Sequence, residues 1–129
     1  MKILLDTHIF LWASGTTSRL PTETLELLAN PDTEKFLSVA SVWEIAIKYG
    51  KGSLPLPEHP LRFIPMTLAE SDIATIVVSM RDAMGVTDLP RHHGDPFDRL
   101  LISQARLNGM YLLTDDKTFE MYDVDLISL

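Results

Sequence analysis

Four acidic residues in this sequence stand where a carboxylate can do chemistry. Asp6 closes the apolar run Ile3-Leu4-Leu5, and Glu44 lies one turn into the stretch that follows Phe36–Val39. Asp98 falls in the first turn of a segment opened by Asp95-Pro96, and Asp116 follows Tyr111-Leu112-Leu113. If the apolar runs are strands of one sheet, these acids come from distant parts of the chain to its carboxyl edge, where open α/β sheets bind ligands. Unaided, they would repel one another and raise each other's pKa, so the site calls for a divalent cation. The chain has no cysteine, and hard oxygen donors point to Mg2+ or Mn2+.

The elements that must position these acids follow from the apolar pattern. Lys2–Leu5 reads as a short buried strand, Ile9–Ser14 as a helix ended by Gly15, and Thr22–Asn30 as a helix between Pro21 and Pro31. Phe36–Val39 is expected to be a strand and Ser41–Tyr49 a helix with Gly50 in the C-terminal capping position. Lys51–Pro65, with four prolines, is expected to be irregular. Met66–Leu68 could form a third strand, leading into an apolar helix over Ala69–Met84 and a loop over Gly85–Gly94. Asp95-Pro96 opens the clearest helix, with Phe97, Leu100, Leu101, Ile102 and Ala105 as its apolar positions and a stop at Asn108-Gly109. Tyr111–Leu113 makes a fourth strand, Lys117–Tyr122 a helical turn, and Val124–Ser128 a last strand. Strands separated by helices predict a single α/β domain over residues 1–129, with a mainly parallel sheet of four to five short strands flanked by helices.

Composition narrows the function. A chain of 129 residues suits one domain, and 46% hydrophobic against 22% charged residues excludes a disordered tail or linker. Without cysteine there can be no disulfide, thiolate zinc site, iron–sulfur cluster or cysteine nucleophile, which is compatible with a reducing cytosol. The apolar stretches Phe36–Trp43 and Ile73–Met80 are 8 residues each, too short to span a bilayer. The first residues begin like a secretion signal, but Asp6 interrupts the apolar centre, so a mature cytoplasmic protein with no membrane partner is expected. Eighteen acidic against eleven basic residues give a net charge of −7, the wrong sign for general nucleic-acid binding. A nucleic-acid substrate would have to be bridged by cations.

Taken together, Leu4-Leu5-Asp6-Thr7-His8, Ser41-Val42-Trp43-Glu44-Ile45, Asp95-Pro96-Phe97-Asp98-Arg99-Leu100-Leu101-Ile102 and Leu113-Thr114-Asp115-Asp116 resemble the motifs of PIN-domain ribonucleases. They are most similar to those of the VapC-type toxins of bacterial and archaeal toxin–antitoxin pairs. The resemblance covers nearly the whole chain in the expected order. It implies that Asp6, Glu44, Asp98 and Asp116 are the metal-binding, catalytic acids of a Mg2+-dependent enzyme that cleaves RNA. It also implies a homodimer neutralised by a VapB-type antitoxin. The family's Thr-x-Asp spacing from Thr114 selects Asp116 over its neighbour Asp115. Phosphodiester hydrolysis at such a site uses one or two ions. Asp6 and Asp98 would bind the principal ion, Asp116 would complete its shell, and Glu44 would orient the attacking water. One departure is that Met80–Leu89 is longer and more polar than the compact connection expected there.

Each residue also has a plainer reading. Asp6-Thr7 fits a helix cap, and Ser41-Val42-Trp43-Glu44 fits a capping box. Asp95 is expected as an N-cap with Pro96 at the first helical position, which leaves Asp98 as the ligand. Lys48 fits an i,i+4 pair with Glu44 about as well as a phosphate contact and is assigned no catalytic role, and Arg99 fits a plain salt bridge, although Arg99 could also steady the acids or touch substrate. His92-His93 could bind a metal or relay protons but is expected in a solvated loop, and Trp12 and Trp43 are expected in the core, with Trp12 a partner-binding candidate if exposed. A haloacid-dehalogenase-like phosphatase would also begin with an aspartate after a first strand, but it wants a second aspartate where this chain has His8. A PIN-fold interaction module without catalysis is the rival from another class.

Overall fold

In the computed structural model, which describes all 129 residues, alternation along one four-residue strand divides the core in two. Ile3 and Leu5 of β1 (Lys2–Leu5) belong to one apolar cluster, and Leu4 between them belongs to another. This is the two-residue period of a strand that is covered on both faces. The other strands are β2 (Glu34–Ser38), β3 (Ile73–Ile76), β4 (Tyr111–Thr114) and β5 (Leu126–Ser128). All pair in parallel, in the order β3-β2-β1-β4-β5.

Six helices cover the sheet: α1 (Thr7–Gly15), α2 (Thr22–Ala29), α3 (Val39–Gly50), α4 (Pro60–Glu70), α5 (Met80–Met84) and α6 (Pro96–Leu107). On one face, Ile3, Leu5, Leu37 and Leu113 pack against Phe10 of α1, Ile45 of α3 and Phe63 of α4. On the other, Leu4 and Leu112 pack against Leu101, Ile102 and Ala105 of α6, with Phe119 and Tyr122 closing the cluster. Each of these large side chains contributes roughly 1.5–3 kcal/mol by leaving water. The chain winds from β1 outward to β3, then returns to β4 on the other side of β1. The carboxyl ends of β1 and β4 therefore form the topological switch point, where an open parallel sheet offers its crevice.

Several expected elements are replaced. Met66–Leu68 is not a strand, and the irregular stretch expected over Lys51–Pro65 ends at Pro60, because α4 runs through both. His59 caps α4 by accepting the Leu61 N–H at 3.2 Å, and Pro60 takes the first turn, where its missing N–H costs nothing. Pro65 is tolerated inside because it faces solvent, as does Leu61, whose carbonyl the missing N–H would have served. The helix expected over Ala69–Met84 is instead strand β3 followed by the five-residue α5. The β-branched run Ile73-Ala74-Thr75-Ile76 can pair with β2, and a left-handed Asp72 (φ 53°) makes the turn into it. The polar Met80–Leu89 connection is α5 plus a 3-10 turn at Gly85–Asp88, both packed on α6. A side chain at Gly85 would meet Ser103 Oγ at 2.5 Å, so only glycine allows that approach. Helix α3 starts at Val39 with Ser38 as its N-cap, and its left-handed C-terminal glycine is Gly52, not Gly50. No helix is long and apolar enough to cross a membrane.

Candidate metal centre

Asp6 follows β1 directly, and its backbone N–H donates to the Leu113 carbonyl at 3.0 Å, so it sits at the seam between β1 and β4. Its side chain is buried and has two jobs. Oδ1 accepts the Thr7 N–H at 2.7 Å, which caps α1, and Oδ2 accepts the Thr114 hydroxyl at 2.8 Å. Burial pushes the Asp6 carboxyl above its usual range, with the Glu44 charge adding to the rise; the Thr114, His8 and Thr7 contacts oppose it without cancelling it. Thr114, the last residue of β4, also accepts the Asp116 N–H at 3.0 Å, so one hydroxyl ties two of the acids to the sheet edge.

Glu44 projects from the inward face of α3, beside Ala40, Ser41 and Ile45. Its Oε1 accepts the Thr7 hydroxyl at 2.7 Å, and its Oε2 lies 2.7 Å from Lys48 Nζ. The hydrogen bond to Glu44 raises the Lys48 pKa, despite some burial, and the charges of Asp95 and Asp98 add to the effect. The capping box expected from Ser41 to Glu44 is absent, because the N-cap falls three residues earlier, at Ser38. Ser41 instead contacts the Thr7 hydroxyl at 2.9 Å. The capping box of this chain is Ser79–Asp82, at the start of α5.

Asp95 caps α6, accepting the N–H groups of Phe97 and Asp98 at 2.9 and 3.2 Å, and Pro96 occupies the first turn as expected. That cap places Asp98 one turn into α6, facing the other acids. The Asp98 carboxyl is pushed up to about 8, first by burial and then by the charges of Asp95, Asp6, Glu44 and Asp116. Asp116 accepts the Thr118 N–H at 2.9 Å, whereas Asp115 is exposed. Asp6, Glu44, Asp98 and Asp116 thus share one electrostatic neighbourhood, in which Asp116 acts on Asp98.

No three carboxylate or histidine side chains come within common reach of a single ion. Asp6, Glu44 and Asp116 are each turned toward neutral donors or Lys48. Donor chemistry nevertheless fits a hard divalent ion: every candidate ligand is a carboxylate oxygen, and Asp98 lies among like charges with no cationic Lys or Arg bonded to it. Charge, rather than preset coordination geometry, is what this edge offers.

Several other expectations change. Trp43 is 62% exposed rather than buried, because Ala40, Ser41, Glu44 and Ile45 take the inward stripe of α3; it rests edge-on against Phe97, 5.4 Å between centroids. Trp12 is half-buried against the core, with the Arg19 guanidinium 5.2 Å from its ring. Arg99 forms no salt bridge and touches none of the acids. It is buried and donates to the carbonyls of Pro90, Val86 and Leu89, which pins the loop before α6. His92 is exposed, but His93 is not solvated: its ring lies between Tyr122 and Asp98. Adjacent histidines carry no periodic signal that distinguishes the inward ring from the outward one, so His93 was not legible as part of the site.

A family comparison matches residues 3–125 to the PIN domain. Among solved structures, the fold is similar to VapBC2 from Rickettsia felis bound to a promoter DNA fragment, with 20% identity, 99% of this chain and 98% of that one covered, and a TM-score of 0.76. It is also similar to DNA-bound VapBC from Salmonella typhimurium, with 16% identity, 99% and 98% coverage and a TM-score of 0.70. VapBC-1 from nontypeable Haemophilus influenzae matches at 16% identity, 99% and 98% coverage and a TM-score of 0.67. Curated proteins supply no match. At these identities the likeness is one of fold.

Proposed function

Because the chain belongs to the PIN-domain family, we propose that it is a Mg2+-dependent ribonuclease, with Mn2+ able to substitute, and the toxin of a VapBC-type pair. The observation that carries this reading is the gathering of Asp6, Glu44, Asp98 and Asp116 from distant parts of the chain into one neighbourhood, where burial and the other acids push the Asp98 carboxyl up. A protein does not gather such charges at a strand edge for stability, since they oppose folding until a cation compensates them. Asp6, Asp98 and Asp116 are the residues that would hold the ion, with Glu44 beside them. Bound there, a divalent ion supplies charge stabilisation for a phosphate and eases deprotonation of water.

The chain's own groups supply the rest. Thr7 fixes one Glu44 oxygen and leaves Oε2 toward the half-exposed Lys48, the oxygen that can accept a proton from an attacking water. Lys48 can swing from Glu44 to a substrate phosphate, which would free that oxygen. Thr114 holds Asp6 against β4, so the acid keeps its place whether or not the edge is charged. With a net charge of −7, the chain gains most of its attraction for RNA through the cation.

Similarity to VapBC complexes supports an antitoxin as partner. The exposed Trp43, Val77 and Met80 are apolar side chains that a homodimer or an antitoxin could cover. The test is incubation of purified, partner-free protein with RNA: cleavage with Mg2+ or Mn2+ is expected, and loss in EDTA. Full activity in excess EDTA would refute the metal-dependent reading, and no cleavage with either ion would favour a non-catalytic interaction module.

A further inference from the structure

The phenol of Tyr122 has three neighbours. Arg99 Nη1 lies 3.3 Å from Oη, the backbone N–H of His93 lies 3.3 Å away, and His93 Nδ1 lies 2.6 Å away. The first two can only donate, so they occupy the acceptor sites of the oxygen. Its single hydrogen must then go to the third and shortest contact, which makes His93 Nδ1 an acceptor. The imidazole hydrogen is consequently on Nε2, which faces Asp98 Oδ2 at 3.3 Å.

Arg99 is held by the carbonyls of Pro90, Val86 and Leu89. Tyr122 is in the core cluster under α6. Arg99 and Tyr122 are therefore fixed by the fold, and from the His93 end the hydrogen on Nε2 reaches the acidic edge. We propose that Arg99, Tyr122 and His93 form a directed hydrogen-bond chain in which His93 is a positioning residue for Asp98. The chain commits Oδ2 to a donor from His93 and leaves Oδ1 as the oxygen for a cation. The part that concerns the cation rests on the metal-dependent reading above; the direction of the chain does not. Partners of this kind, which orient a ligand without touching the ion, typically change metal affinity 10–100-fold when removed.

The test uses the full-length protein, its Tyr122→Phe, His93→Gln and His93→Ala variants, and Mn2+ as probe. Imidazole 15N spectra of the metal-free wild type should place the His93 hydrogen on Nε2, and Tyr122→Phe, which keeps the buried ring, should lose that single tautomer. A hydrogen on Nδ1 in the wild type, or an unchanged tautomer in Tyr122→Phe, would overturn the chain. Mn2+ titrations followed by water-proton relaxation should show His93→Ala binding about 10–100-fold more weakly than wild type. His93→Gln should recover much of the loss, because its amide can accept from Tyr122 and donate to Asp98. Equal affinity in His93→Ala and wild type would overturn the positioning role. A wild type that neither binds Mn2+ nor cleaves RNA would refute the ribonuclease reading and with it that role, while the tautomer would still decide the direction of the chain.

Discussion

Asp82 and Asp98 are two carboxylates removed from water on neighbouring helices, and the fold treats them in opposite ways. Asp82, on α5, accepts the Ser79 N–H at 3.1 Å and Gln104 Nε2 at 3.2 Å on one oxygen, and Asn108 Nδ2 at 3.0 Å on the other. Burial works against its ionisation, yet the hydrogen bonds from Ser79, Asn108 and Gln104 prevail and hold its carboxyl below the usual range. Asp98 has one side-chain donor, His93, and carboxylates around it, and its pKa is pushed up to about 8. Burial alone does not set the direction in which a carboxyl shifts. The number of neutral donors does: Asp82 is satisfied as a carboxylate within the fold, whereas Asp98 must hold a proton or be repelled unless a cation from outside the chain compensates its charge.

The largest effect that could break this contrast is expected at Asp98. Asp98→Asn should lower RNA cleavage at least about 100-fold, since it removes a carboxylate proposed to hold the ion. The same variant should melt higher than wild type in EDTA near neutral pH, because it no longer forces a carboxyl to remain protonated or be repelled. It should then gain much less from Mg2+ than wild type does. Melting curves with EDTA and with Mg2+ check both statements. A variant that melts lower in EDTA and responds to Mg2+ like wild type would make Asp98 a second Asp82.

At the structural acid the expectation reverses. Asp82→Ala should cost about 3 kcal/mol, measured by urea denaturation, because buried donors of Ser79, Gln104 and Asn108 lose a charged partner. Its Mg2+-induced rise in melting temperature should match that of wild type. A reduced rise would show that the two regions are coupled through the packing of α5 on α6.

A third effect is spread over pH and sharpens the comparison by sign. The folded pKa of Asp98 lies above its unfolded value near 4, so its contribution is lost as pH rises from that value and through about 8. The folded pKa of Asp82 lies below its unfolded value, so its contribution is present above about pH 4 and is lost as pH falls through the depressed value. Metal-free wild type should therefore have its highest urea midpoint in mild acid. Asp98→Asn should flatten the alkaline decline, and Asp82→Ala should remove part of the acid decline. Urea midpoints measured in EDTA from about pH 3 to about pH 9 give the answer; a wild-type midpoint that climbs steadily between pH 4 and 8 would contradict the assignment of Asp98.

What the sequence by itself determined is what short-range pattern can encode. Apolar runs ending in Asp6 and Thr114 specified β1 and β4, and Asp95-Pro96 specified the start of α6, because strand alternation, caps and prolines act within a few residues. The same local rules misplaced β3 and α4, where an exposed Pro65 and a β-branched run were resolved only by which surface each could cover and which strand could accept β3. Tertiary structure alone decided the partners of each polar group. Thr114 meets Asp6 across 108 positions and Tyr122 meets His93 across 29, while Arg99 turns away from the adjacent Asp98 toward loop carbonyls. A side chain's partner depends on where remote backbone lands and on which donors are already in use, and neither quantity has a period along the chain. The acids could be proposed from sequence because their places, just after β1 and β4 and early in α3 and α6, are local. The hydrogen bonds that distinguish Asp82 from Asp98 could not, because they exist only once the helices have packed.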